Sequence, residues 1–364
     1  MFRVPNKAAV TYPRQAGVFS ADIDTLAAGV AGDGVLSGMG VSAQGTPDMT
    51  VAVAAGLVRI GGYFAYYAGA NVTIAAADST NPRIDTVCCD YNGTVSRVAG
   101  TAATLPVPPD VPANSIQLAQ VYVQAGATSI GAGNIVDKRV VELDFFDYYD
   151  EFLPAALATT GNISNGAWGT TASGTAANAF QTGESAHPGI FRLVTGATSG
   201  NNSRIHLGAS ATAVTPFLPA DVGRVRMLVR IPTITTLAVK LGLGVDLSDA
   251  AAGSLGTAGA FVEFVPATSA KWRYTTRQAS TSTTNADTGA DVVANTWYQF
   301  DILRLQNGNW QFAKNGALAF THSANQPTTA CTLGALVHTL TTAARNLDVD
   351  LIGLNLKPLG NRWT

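Results

Sequence analysis

Two Asn-Gly dipeptides, Asn307-Gly308 and Asn315-Gly316, each stand between short stretches of apolar and β-branched residues. Asn and Gly tolerate the left-handed backbone that a two-residue hairpin turn demands, so three consecutive antiparallel strands are predicted at Trp297 to Leu305, Asn309 to Lys314 and Ala317 to Thr321. Asn92-Gly93 carries the same signal between Arg83 to Tyr91 and Thr94 to Ala99. A chain punctuated this way is built from antiparallel sheets.

The choice of acidic side chains agrees: 20 Asp stand against 4 Glu, with only 6 Lys. Helix surfaces draw on Glu and Lys, whereas Asp, Asn and Gly serve turns and Val and Thr serve strands. The fold class expected is therefore all-β. With 364 residues, 47% of them apolar, the chain holds enough material for two cores.

Charged residues make up 13% and the net charge is -2, so there is no basic field to hold nucleic acid. The apolar stretch from Met49 to Leu57 stops at Arg59, short of the roughly 20 residues of a membrane-spanning helix, and no membrane insertion is expected. Met1 to Tyr12 holds Arg3, Pro5 and Lys7 and no apolar run, so synthesis in the cytoplasm without a signal peptide is expected. Cys88 and Cys89 are vicinal and Cys331 is remote, a spacing that fits neither a disulfide framework nor a zinc site.

Residues 1–45 read as an N-terminal arm, polar and glycine-rich, with one short helix allowed from Phe19 to Val30 behind a Ser20 cap. Residues 46–143 read as a small β-domain. Its strands alternate around Gly61-Gly62, and its loop from Leu105 to Pro112 carries four prolines in eight residues. Residues 144–160 interleave aromatics with acids, as a short helix or an extended linker, packed either within the chain or against another subunit. Residues 161–364 then give strands at regular spacing, the pattern of a two-sheet sandwich. In Arg224 to Ile231, Val225, Met227, Val229 and Ile231 fall on a core face and Arg224, Arg226 and Arg230 on a solvated one.

No nucleophile elbow, phosphate loop or zinc-hydrolase helix is present, and His187, His206, His322 and His338 are scattered. Asp348 and Asp350 share a strand face that reads as solvated rather than catalytic. Asp246 to Asp249 reads as a turn rather than a calcium loop. No catalytic residue, metal ligand or cofactor is assigned. The segment from Lys271 to Asp287 combines the residue types that bind sugars, an aromatic pair with Asn, Asp and Arg around it. Trp272, Tyr274, Arg273, Asn285 and Asp287 are the candidate glycan-binding residues, with core packing of Trp272 as the simpler reading. Arg83, Asp85, Asp137, Lys138 and Arg139 are opposite charges in a charge-poor module and are expected to pair, either locking turns within the chain or joining subunits.

The segments VAAGLVRIGGYFAYY, ADSTNPRIDTVCCDYNG, PVPPDVP, IQLAQVYVQAGATSI and NIVDKRV occur here in the order found in modules of bacteriophage tail, baseplate and fibre proteins. Over residues 40–140 the chain resembles that family. The resemblance implies a virion structural protein, a homotrimer contacting other tail or baseplate proteins, with residues 46–143 as its attachment and oligomerisation domain and the R-I-D and D-K-R motifs at Arg83, Asp85, Asp137 and Arg139. TWYQFDILRLQNGNWQFAKNGALAF resembles the concanavalin-like jelly-roll sandwich of lectins, laminin-G-like modules and some glucanases, and implies attachment to a host-surface glycan. The E-x-D-x-x-E strand of the glucanases is missing: Ala260 to Pro266 offers Glu263 alone. A capsid decoration or head-fibre protein, and a polysaccharide-cleaving enzyme, are the alternatives.

Overall fold

A computed structural model of the chain describes residues 32–142, 148–150, 162–163, 168–174, 178–207, 217–244 and 258–356. The predicted helix from Phe19 to Val30, most of the 144–160 linker, Asp246 to Asp249 and the tail beyond Leu356 lie outside the described residues. Among those described, helix is limited to two single 3-10 turns, Ala132–Asn134 and Pro219–Asp221; regular structure is otherwise strand.

The second half is a sandwich of two eight-stranded antiparallel sheets. The first sheet runs in the order Ala179–Gln181, Ile190–Val194, Asn346–Leu356, Val222–Arg230, Trp297–Arg304, Trp310–Lys314 and Ala317–His322, with Tyr148–Asp150 beside the far end of Asn346–Leu356. The second runs Asn162–Ile163, Trp168–Ala172, Asn202–Leu207, Thr332–Thr339, Leu237–Gly244, Gly259–Phe264, Arg273–Gln278 and Thr281–Ala286. Successive strands cross from sheet to sheet: Ile190–Val194 and Asn202–Leu207 pair with the last strand and the one before it, and Val222–Arg230 and Leu237–Gly244 flank those on the other side. Early and late chain are thus wound together, the jelly-roll course expected from the sequence. One core fills the space between the sheets. Val225, Met227, Val229, Phe300, Ile302 and Phe312 come from one side and Val239, Leu241, Val262, Tyr274, Leu333 and Val337 from the other.

The first half carries smaller sheets. Gly34–Gly38, Gly56–Ile60 and Tyr63–Tyr67 make one; Val41–Ala43, Thr50–Val53 and Ala70–Thr73 a second; and Ile135–Asp137, Ser115–Val123, Arg83–Asp90 and Val95–Val98 a third. Strands already begin at Gly34, inside the stretch read as an arm. The three cysteines are buried free thiols; burial pushes Cys88 up to about 11 and Cys89 and Cys331 up to about 12.

Residues 33–364 cluster as one unit, and the two halves are joined at the outer face of the first large sheet. Leu57, Phe64 and Tyr66 pack with Leu303 and Ala313 of the sandwich, and Leu305 enters the core of the first half beside Val87 and Val121. The hairpin that carries Leu305 differs from the expected two-residue turn. Gly308 N–H donates to Leu305 C=O and Leu305 N–H to Asn309 C=O, so Gln306 and Asn307 form a type I turn closed by Gly308 in the left-handed region, φ +89. Asn92-Gly93 closes in the same way, whereas Asn315-Gly316 keeps the two-residue form, both residues at positive φ.

This docking corrects one expectation. Arg224, Arg226 and Arg230 do leave the core face, but the face they reach is not wet. Arg224 is fully buried, its guanidinium 4.8 Å from the Phe64 ring centre. Asp348 and Asp350, read as solvated, are 0% and 5% exposed. They lie on a strand flanked on both sides, and arginines from the neighbouring strands fold over Asp348.

Candidate functional site

The five candidate glycan-binding residues are divided among different surroundings. Trp272 and Tyr274 are 0% exposed. Trp272 lies edge-on to Phe300 at 4.7 Å, and Tyr274 packs on Phe312 and Phe320, so neither ring offers a platform to a sugar. The residue alternation was read correctly, and core packing, the simpler reading for Trp272, is what the structure shows: Trp272 and Tyr274 face inward and fill the sandwich core. Asp287 is buried and ion-paired with Lys314, and its backbone N–H donates to Trp272 C=O. Only Arg273 and Asn285 reach the surface.

Arg273 belongs to a polar strip on the outer face of the second sheet. Its guanidinium lies 3.1 Å from the Glu263 carboxylate, and Thr275 Oγ1 donates to that carboxylate over 3.3 Å. Thr275 also shares a 2.9 Å hydrogen bond with Thr284, and Arg277 donates to Ser282 Oγ over 2.9 Å. The strip arises because the two strands alternate, Arg273, Thr275 and Arg277 facing out against Ala286, Thr284 and Ser282 in register. The same cross-strand row continues inward from Arg273 through Glu263, Lys240 and Leu336 to Arg204. Chemically this edge can donate to and accept from hydroxyls; Asn285 is exposed but, in register with Tyr274, lies on the other face of the sheet.

The motif charges of the first half lock turns within the chain. Asp85, fully buried, takes Arg83 at 2.9 Å, Arg97 at 2.8 Å and the Gly100 N–H at 3.0 Å. Arg83 also donates to the carbonyls of Ala75 and Ala76, tying the preceding loop to the strand. Asp137 and Arg139 form a two-pronged pair, which holds the Asp137 carboxyl down at about 2. Arg139 reaches on to Gly38 C=O, while Lys138 contributes its backbone N–H to Leu118 C=O.

One cluster was not singled out from the sequence. On the outer face of the first sheet, Asp348 receives Arg192 at 2.6 Å and Arg230 at 2.8 Å, and Arg230 continues to Glu184. His187 Nδ1 lies 2.7 Å from Asp350 and its ring stacks on Trp297 at 4.2 Å, with Arg230 4.7 Å from the same indole. Burial raises the Asp350 carboxyl above its ordinary value, against the His187 bond that lowers it. A tight turn delivers these groups: Glu184 and His187 exchange backbone hydrogen bonds around Ala186, which sits at φ +67. The signal was available as acids at Asp348 and Asp350 and arginines on predicted neighbouring strands of a charge-poor chain.

Among the described residues, no group of three His, Cys, Asp or Glu side chains could hold a metal ion. No curated protein matches the chain in sequence. Among solved structures the chain is similar to the protein SO2946 of Shewanella oneidensis MR-1, at 14% identity over 59% of this chain and 88% of that one, TM-score 0.43. It is also similar to the carbohydrate recognition domain of Emp46p, at 7% identity over 57% and 94%, TM-score 0.40. A β-glucanase of Bacillus licheniformis gives 13% identity over 57% and 97%, TM-score 0.38. Residues 186–350, within the sandwich and less than half of the chain, match the family model described as SO2946-like, C-terminal domain.

Proposed function

We propose that the chain is a structural protein of a bacteriophage particle, a tail, baseplate or fibre component that assembles as a homotrimer. It is anchored through its first half and displays a lectin-like sandwich for attachment to a host-surface glycan. The observation that carries the assembly is where apolar surface is left open. Of the exposed large apolar residues among those described, Leu105, Val107, Val111, Tyr122, Val136, Val140 and Val141 all lie in the first half, against Leu218 and Val293 in the sandwich. Tyr122 and Val136 share one face of their sheet, since Val136 is in register with Gln120. Exposed apolar side chains grouped in this way mark a surface that another chain covers, and the ordered segments that resemble phage tail modules lie in the same half.

The protein acts by binding rather than by catalysis. Glycoside hydrolysis needs two carboxyl groups facing the same bond, one of them protonated. Most buried acids of the described sandwich are instead engaged by cations, Asp348 by Arg192 and Arg230, Asp301 by Arg226, Glu263 by Arg273 and Asp287 by Lys314, while Asp350 is hydrogen-bonded to the His187 ring. Mass spectrometry of purified particles from a phage that encodes the chain tests the reading. The chain should be recovered in fixed stoichiometry with the tail proteins; particles that lack it overturn the proposal, and recovery with the head proteins would make it a decoration protein.

A further inference from the structure

We infer that a cleft at the junction of the two halves, lined by Tyr63 and Tyr91, is a binding site for a single neutral sugar ring. This site is separate from the polar strip on the sandwich, and the inference stands on the chemistry of the cleft whether or not the protein belongs to a phage particle.

The cleft is made by three turns. Gly61 and Gly62, at φ +58 and +77, reverse the chain between Ile60 and Tyr63, which are in register. Tyr91 follows Asp90 at the corner closed by Gly93, and Gln306 holds the same corner position in the hairpin closed by Gly308. The two type I turns touch, Asn307 N–H donating to Asn92 Oδ1 over 3.4 Å. With Leu305 anchored in the first half's core, the turn that carries Gln306 is held against the tyrosines. The walls are therefore set before any ligand arrives, which lowers the entropic cost of binding.

The two phenol rings lie 6.4 Å apart, tilted by 44°, and both line the cleft. Aromatic faces of this kind accept the C–H face of a pyranose, while the hydroxyls around the ring need polar partners. Those partners converge here. Asn114, Ser115 and Gln306 line the cleft, and their side chains make no hydrogen bond among the described residues. Asp33 also lines it, with Oδ1 accepting from Gly61 N–H at 2.6 Å, which leaves Oδ2 for a ligand hydroxyl. Asp33 is the one charged side chain in the lining, so a ligand bearing a carboxylate or phosphate would be repelled and one bearing hydroxyls accepted. The cleft measures about 310 Å³, near the lower end of the roughly 300–1,000 Å³ of small-molecule sites, which suits one ring better than an extended chain.

Saturation-transfer NMR on the full chain, with methyl glycosides of glucose, galactose, mannose and N-acetylglucosamine and with glucuronate as the anionic comparison, tests the inference. At least one neutral glycoside should receive saturation, and glucuronate should not. Tyr91→Ala should weaken binding about tenfold. Gln306→Ala, exposed and outside every core, should weaken it severalfold without touching the fold, so a misfolded tyrosine variant cannot decide the matter. Val293→Ala, exposed on the sandwich and outside the cleft, should leave binding unchanged. The inference is overturned by absence of transfer to all four neutral glycosides, by equal transfer to glucuronate, or by transfer that survives both Tyr91→Ala and Gln306→Ala. Transfer abolished by Arg273→Ala but not by Tyr91→Ala would place the sugar on the sandwich and equally overturn it.

Discussion

The Gln311 side chain closes a two-bond ring with the backbone of Tyr66: Tyr66 N–H donates to Gln311 Oε1 over 2.8 Å, and Gln311 Nε2 donates to Tyr66 C=O over 3.2 Å. One amide thus acts as a strand neighbour for a residue in the other half of the molecule. All four atoms are buried, so removing the amide strands a backbone donor and an acceptor away from water. Gln311→Ala should cost about 2–4 kcal/mol, measured by urea unfolding. Because Tyr66 still bonds Asp301 and packs with Leu303 in the variant, the halves should stay docked and unfold in one transition at a lower midpoint. An unchanged midpoint would mean that the Gln311 amide contributes nothing to holding the halves together.

Asp348 neutralises two arginines at once. It is 0% exposed, while the Arg192 and Arg230 side chains are 27% and 12% exposed. The Asp348 bond holds the Arg192 guanidinium above its ordinary value. Asp348→Ala leaves two like charges partly buried and adjacent, at a cost of about 3 kcal/mol. Arg192→Met should cost much less, since Arg230 still pairs the carboxylate. Thermal unfolding of the two variants checks the asymmetry.

Two carboxyl groups should titrate in opposite senses. Asp137, held at about 2 by Arg139, binds a proton less readily folded than unfolded. Its contribution to stability is present above the ordinary value of 3.8 and is lost as pH falls toward 2. Asp350 is raised, chiefly by burial, so its contribution is present below 3.8 and is lost as pH rises through its folded value. Carbon-13 NMR titration of the side-chain carboxyls should show the two resonances moving on either side of 3.8. In Arg139→Ala, Asp137 should rise toward its ordinary value, held below it only by the surviving backbone N–H bonds, while Asp350 stays put.

Strands that keep one face dry were legible in the sequence, because alternation survives in them: Arg224 to Ile231 and Trp297 to Leu305 emerge within two residues of their observed bounds. Asn202–Leu207 was passed over. It is buried along nearly its whole length, and although Asn202, Arg204 and His206 form a polar side, only Ile205 and Leu207 are apolar opposite them, too short an alternation to stand out. Thr281–Ala286 was passed over for the opposite reason: an edge strand of Thr, Ser and Asn reads as loop. The side of the sheet on which Trp272 falls cannot be read from alternation, which gives two faces and does not name the core. The tyrosine cleft was beyond reach, since Asp33, Tyr63 and Tyr91 meet only through the fold of the first half and Gln306 joins them only through docking of the sandwich.

A protein anchored through an oligomerising first half must exist as a defined assembly, so the most direct measurement is the mass of the purified full chain by light scattering at micromolar concentration. The expected result is three times the 37.5 kDa of one chain, with Val136→Asp, which places a charge on the exposed apolar face, shifting the mass toward that of a single chain. A wild-type mass of one chain would contradict the trimeric attachment protein proposed here.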